Sequence, residues 1–250
     1  MLKLFAVTRS LQLVSFFVSC AMLPSAAAQS CAAHGVALQV LASDGPELQD
    51  QRASSSYLVW DDERARVLVH AGGGSALRLG ESGAQMAQLN VILFTHFRVD
   101  HSGDFAALIK SSWLEERKRP LPSYGPEGND FMPATTEVVA DFFGEHGAYR
   151  YLSELLAPGQ ESDYKLRPHN VAGSEKPIEA FRNGDLAAYS VCVIHGGVPA
   201  LAWRIEVDGK LIVFSGDTNG EGGITHRSEI KKRYLGPAEF ANDLDCFAVK

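Results

Sequence analysis

Two imidazoles and a carboxylate fall within six positions in Thr95-His96-Phe97-Arg98-Val99-Asp100-His101. Those are donors that borderline divalent cations such as zinc accept. An apolar run over residues 91–94 precedes them and reads as a buried strand. The donors therefore follow a strand end, where α/β folds commonly place their chemistry. Two later segments have the same form. Residues 191–194 read as a strand delivering His195, followed by Gly196-Gly197. Residues 211–214 read as a strand delivering Ser215-Gly216-Asp217-Thr218. A carboxylate has two oxygens and can bridge two cations, which a neutral imidazole cannot. Each later motif alone would more often be a turn; their order gives them weight.

These donors need strands to carry them. Further strands are expected at residues 36–42, 57–60, 66–70, 122–124, 186–194, 200–207, 210–214 and 246–249. Asp208-Gly209 between two of them is a strong hairpin signal. Helices are expected at 85–89, 105–119, 135–143, 149–156, 228–234 and 237–241. In the second of these, Leu108, Ile109, Trp113 and Leu114 should face the core. Its basic end, Arg117-Lys118-Arg119, reads as a solvated helix terminus that Pro120 stops. Residues 162–181 are polar and proline-containing and read as loop. Gly72-Gly73-Gly74 follows a strand, but no Lys-Ser/Thr completes a phosphate loop. Strands in runs with intervening helices suggest an α/β fold with a two-sheet core.

The first 28 residues do not belong to that core. Lys3 and Arg9 precede an apolar run over 11–23, and Ala26-Ala27-Ala28 forms a small-residue cleavage site. That is the pattern of a secretory signal peptide, so the chain is expected to be exported, periplasmic or secreted, with residues 29–250 as one domain. No later run is long enough to span a bilayer, so no membrane association is expected after cleavage. The whole chain has a formal charge of −7, and losing Lys3 and Arg9 takes it to −9. An acidic surface argues against a long nucleic-acid partner. Cys31, Cys192 and Cys246 remain after cleavage, which allows one disulfide and a thiol, or three thiols. The apolar surroundings of Cys192 and Cys246 favour buried thiols.

The stretch Thr95-His96-x-Arg98-x-Asp100-His101, with His195 and Gly216-Asp217-Thr218 after it, resembles the metallo-β-lactamase superfamily signature. Lys110-Ser111-Ser112-Trp113, residues 124–128, residues 199–204 and Phe214-Ser215-Gly216-Asp217-Thr218 resemble its ribonuclease Z-like and arylsulfatase-like branch. The resemblance implies a four-layer αβ/βα sandwich of two mixed β-sheets flanked by helices. It implies metal ligands at His96, Asp100, His101, His195 and Asp217, with one or two zinc ions, or manganese or iron. It also implies hydrolysis of a phosphodiester or sulfate ester by a metal-bound hydroxide. Export argues against tRNA processing, so a small anionic ester is the expected substrate and nucleic acid is not.

The chain departs from that pattern at four places. Arg98 stands where the superfamily has its second His, and a guanidinium has no lone pair to offer a cation. His70 stands where an Asp usually supports the metal loop, and Ile194 where the branch often has another His. The chain stops at Lys250 before the segment that supplies a further His, implying a C-terminally incomplete sandwich; His226 is not expected to substitute. A single cation held by Asp100, His101 and Asp217 is therefore expected. Asp100 would orient and deprotonate water, and Arg98 would hold the anionic group of the substrate. The departures also admit an impaired or inactive protein of this fold that acts by binding.

Overall fold

The structure, a computed structural model, describes residues 31, 34–159, 164–218 and 241–250. The expected signal peptide, His226 and the helices expected at 228–234 and 237–241 lie outside the described residues. No helix among the described residues is long and apolar enough to cross a membrane.

Among the described residues, a seven-stranded mixed sheet and a four-stranded sheet make up the β structure. The large sheet begins with β1 (Val36–Ala42), β2 (Ser56–Asp61) and β3 (Arg64–Val69), paired antiparallel in sequence. Three parallel strands follow: β4 (Val91–Leu93), β5 (Leu121–Pro126) and β6 (Leu166–Val171). The crossovers carry helices α1 (Ser75–Ser82), α2 (Val99–Ser102), α3 (Phe105–Leu114) and α4 (Thr135–Phe143). Parallel neighbours need such crossovers, because a tight turn cannot reverse the chain twice. The small sheet is a meander of β7 (Ile178–Asn183), β8 (Leu186–His195), β9 (Val198–Val207) and β10 (Lys210–Phe214). It is antiparallel throughout, whereas two mixed sheets were expected. β11 (Cys246–Ala248) pairs with β1 at the edge of the large sheet.

Side-chain alternation along the strands explains the layers. Leu58, Leu68 and Ile92 point to one face of the large sheet and pack with Leu79, Leu108, Ile109 and Val139 of the helices. Val59, Val67, Val69, Val91 and Leu93 point to the other face, onto Leu201, Trp203, Ile205 and Val207 of β9. The central strand β4 is buried on both faces, which is why it reads as a continuous apolar run. The β9–β10 turn uses Asp208 and Gly209, both at positive φ, as the hairpin signal required.

Several expectations are corrected. Residues 162–181 were expected to be loop, yet they contain all of β6 and part of β7. Both are edge strands: β6 tolerates Pro168 and leaves His169 and Asn170 exposed, and only Phe181 of β7 is buried. Edge strands lack the apolar alternation that marks central ones. α1 was not anticipated, since Leu79 is the one large apolar side chain it buries. The helices expected at 85–89 and 149–156 are 3₁₀ turns at Met86–Gln88 and Arg150–Leu155. Cys31 and Cys246 form a disulfide across 215 residues of sequence, and Cys192 is an exposed thiol, not a buried one. The bond ties the start of the described chain to the edge strand, a contact that neither cysteine's neighbours encode.

α3 ends at Leu114, leaving Trp113 42% and Leu114 66% exposed, so neither faces the core as expected. The reason lies in Arg117, which is buried and not a solvated cap. Its guanidinium donates to the carbonyls of Met86 (3.1 Å), Ala87 (2.9 Å), Arg119 (2.8 Å) and Pro120 (2.8 Å). Burial and the neighbouring Arg119 lower its pKa to about 10, still charged at neutral pH. Arg117→Leu removes a donor from four carbonyls and is expected to cost roughly 3 kcal/mol. Urea denaturation checks this, and an unchanged midpoint contradicts it.

Candidate metal centre

Three strand ends of two sheets converge. β4 leads into Thr95-His96, and the chain turns through α2, whose residues Asp100 and His101 are buried. β8 ends at His195, and the turn after β10 carries Asp217. Backbone bonds fix this geometry. The Ala71 N–H donates to the His101 carbonyl (2.8 Å), and the Asp104 N–H to the Ala71 carbonyl (2.8 Å). The Leu201 N–H donates to the Thr95 carbonyl (2.9 Å), which locks β9 of the small sheet to the end of β4. Gly72 lies so close to the Asp100 and Ser54 carbonyls that a Cβ there would meet them at 2.3 and 2.4 Å. The glycine run thus serves close backbone packing beneath α2.

The five donors named from sequence lie together. His96 Nε2, His195 Nε2 and an Asp217 oxygen form one group; Asp100, His101 Nε2 and the other Asp217 oxygen form a second. Within each group the donor atoms lie within 4.8 Å of one another. Asp217 Oδ2 lies 3.9 Å from His96 Nε2 and 3.7 Å from His195 Nε2, and Asp217 Oδ1 lies 3.6 Å from His101 Nε2. His96 Nε2 is buried with no hydrogen-bond partner. A buried nitrogen left unpaired is costly unless something fills its lone pair, and a cation does so.

Arg98 enters the first group. Its Nη1 lies 3.2 Å from His195 Nε2 and 3.8 Å from Asp217 Oδ2. A guanidinium nitrogen only donates, so it takes the lone pair that His195 would give a cation. The second group is free of this obstruction and fits one divalent ion with its two carboxylates and one imidazole. Ile194, another of the departures, points its side chain into solvent beside His195.

His70 follows β3 and sits behind the centre, at a φ of 65°. Its Nδ1 lies 3.0 Å from His101 Nδ1, and its Nε2 lies 2.8 Å from Thr95 Oγ1. Thr95 Oγ1 in turn lies 2.9 Å from His96 Nδ1. Thr95 was read from sequence only as part of a motif. The signal for its role was its position between a strand and a candidate ligand.

Burial pushes His70 well below the ordinary imidazole range, with its neighbours His101 and His96 adding to the effect. Burial, then His101, His195 and Arg98, lower His96 to about 3. Burial outweighs the attraction of Asp217 and Asp100 and lowers His101 as well. All three rings are thus neutral at pH 7. In the metal-free protein the unfolded chain takes up these protons near pH 6.5 while the folded chain resists. Stability is therefore expected to be fully present above about 6.5 and to fall as pH drops toward 3, by up to about 1.4 kcal/mol per pH unit for each ring. Urea titrations at pH 7 and pH 5 check this; equal midpoints contradict it.

An open cleft of about 610 Å³ adjoins the centre, lined by Arg98, Asp100 and His195 on one side and by Phe97, Phe131 and Met132 on the other. Phe131 is 70% exposed there. Its lining from residues 131–132 comes from a loop with no motif, so nothing in the sequence indicated it.

A family model described as the metallo-beta-lactamase superfamily matches residues 50–245. Ribonuclease Z of Mycobacterium bovis (strain BCG / Pasteur 1173P2) is 28% identical over 193 residues, covering 72% of this chain and 62% of that protein. Ribonuclease Z of Mycobacterium marinum is 26% identical over 195 residues, covering 73% and 63%. The chain thus spans less than two thirds of the length of these relatives. Among solved structures, human tRNase Z, short form, superposes with a TM-score of 0.56 at 18% identity, covering 75% of this chain and 71% of that one. A metallo-beta-lactamase fold protein from Bacillus subtilis, YhfI, superposes at 0.51 with 17% identity, covering 79% and 66%. These relatives, named ribonuclease Z, overturn the expectation that nucleic acid is no partner. The expectation rested on net charge and on export; net charge averages over the surface and does not govern what one local cation site accepts.

Proposed function

The chain belongs to the metallo-β-lactamase superfamily, and from that premise we propose that it is a metal-dependent hydrolase of phosphodiesters, with RNA as its substrate class. The observation that carries this reading is the second donor group, Asp100, His101 and Asp217, opening beside the cleft. The relatives named ribonuclease Z support RNA as the substrate. Zinc suits the donor set best, with manganese or iron as alternatives.

Asp100, His101 and Asp217 would hold a divalent ion there, and such an ion would supply a water nucleophile at neutral pH by lowering the water's pKa toward ~7. Asp217 shares its two oxygens between the two donor groups and holds their separation. Asp100, buried against His101 Nε2 at 3.3 Å, orients the water and accepts its proton. Arg98, half exposed at the cleft, binds a non-bridging phosphoryl oxygen through the N–H groups of its guanidinium that do not meet His195. Phe131 offers a surface on which a base can stack. The basic start and apolar run of residues 1–23 support export, which N-terminal sequencing of the mature protein tests.

The hydrolase reading is tested with labelled RNA and an aryl phosphodiester, each with and without chelator. Chelator-sensitive cleavage of both is expected. A folded, zinc-replete protein that cleaves neither sinks the reading and leaves a metal-binding protein without turnover, the outcome that Arg98 on His195 would favour.

A further inference from the structure

A continuous buried hydrogen-bond chain runs beneath the two donor groups and joins them. Its links are His101 Nδ1 to His70 Nδ1 (3.0 Å), His70 Nε2 to Thr95 Oγ1 (2.8 Å) and Thr95 Oγ1 to His96 Nδ1 (2.9 Å). His101 belongs to one group and His96 to the other. We propose that this chain makes the two donor groups antagonistic, so that an ion on His101 weakens His96 as a ligand, and the reverse. The inference rests on the metal-binding part of the proposed function.

The reason is that each link holds one proton, and the whole chain must donate in a single direction. A neutral imidazole that ligates through Nε2 carries its proton on Nδ1. Suppose His96 ligates. Its Nδ1–H donates to Thr95 Oγ1, the threonine O–H donates to His70 Nε2, and His70 Nδ1–H donates to His101 Nδ1. The His101 proton then lies on Nε2, facing Asp100 at 3.3 Å and Asp217 at 3.6 Å, and that nitrogen has no lone pair to give.

Suppose instead that His101 ligates. Its Nδ1–H donates to His70 Nδ1, and the His70 proton moves to Nε2 and donates to Thr95 Oγ1. The threonine proton is left with His96 Nδ1 as its acceptor, which puts the His96 proton on Nε2. No proton is gained or lost; only the direction reverses. Loading both ends at once would aim two donors at Thr95 Oγ1 and leave its own proton without an acceptor. Among the described residues Thr95 Oγ1 has no third partner, and Gly216 closes the other side, where a Cβ would lie 2.7 Å from it.

The Thr95 backbone N–H also donates to His70 Nε2, at 3.2 Å. That bond needs Nε2 unprotonated and so sets the resting direction from His96 toward His101. A carboxylate at position 70 would behave differently. It only accepts, so His101 Nδ1–H and the threonine O–H could both point at it, and both donor groups could load together.

Two measurements on the full chain test this. In ¹⁵N-histidine-labelled protein, zinc is expected to move the His101 proton from Nε2 to Nδ1 and the His70 proton from Nδ1 to Nε2. Zinc titration of Arg98→His, which removes the opposing charge, is expected to give one tight ion and a second held at least ~10-fold more weakly. Adding His70→Asp to that variant is expected to bring the two affinities together. Two ions of matched affinity in Arg98→His alone, or ring protons that stay in place when zinc binds, overturn the inference. Matched ions in Arg98→His, with chelator-sensitive RNA cleavage by the unsubstituted protein, overturn it alone, whereas no zinc binding by the unsubstituted protein removes the metal reading as well. If the double variant fails to fold, the spectra of the unsubstituted protein still decide.

Discussion

Asp217→Asn is expected to lower phosphodiester turnover by more than ~100-fold and to release the bound ion. Groups that merely support metal ligands change affinity or activity by about 10- to 100-fold, and Asp217 is placed to act directly. It is the one residue common to both donor groups, with one oxygen 3.6 Å from His101 Nε2 and the other 3.7 Å from His195 Nε2. An amide keeps the shape and one acceptor oxygen but loses the charge and presents an N–H₂ toward one group. It also frees Arg98, whose Nη1 faces Asp217 at 3.8 Å, to repel a nearby cation unopposed. Turnover and metal content measured on the same preparation check both parts. Loss of turnover with the ion still bound would assign Asp217 to chemistry and not to holding the metal.

Arg98→Ala is expected to raise KM for an anionic phosphodiester by about 10- to 100-fold, with a smaller effect on kcat. A hydrogen bond to a charged group contributes about 1.5–3 kcal/mol, and each 1.4 kcal/mol is a factor of ten. The side chain stands at the cleft mouth and is tethered by His195, so its charge is aimed where a phosphoryl oxygen would lie. Arg98→Lys keeps the charge and loses the fork, and should recover part of the effect. Arg98→His should impair turnover for the same reason. If Arg98→His instead raises turnover, the guanidinium is an obstruction at the first donor group and not a substrate contact.

The parts of the fold that could be read from residues were those with local patterns. Buried β4, the alternating β9 and the Asp208-Gly209 hairpin each carry their signal within a few positions. His96, Asp100 and His101 were visible as donors clustered past an apolar run, the resemblance to the superfamily signature gave His195 and Asp217 their weight, and the structure places all five together. What escaped was long-range. The exposed edges β6 and β7 pair through backbone, with few buried side chains to mark them. Arg117 looked like a solvated charge because its carbonyl partners at Met86 and Ala87 lie some 30 positions upstream. His70 was noticed as a departure, but its consequence depends on Thr95, 25 positions away, and on His101, 31 positions away. The disulfide partner of Cys246 was hidden for the same reason.

Zinc titration of the purified full-length chain, followed by calorimetry, probes the convergence of these donors most directly. One tightly held ion per chain is expected, and it should be lost in Asp217→Asn. A folded protein that takes up no divalent ion from excess zinc, nickel or manganese would contradict the metal centre, and two equally tight ions would contradict the place given to Arg98.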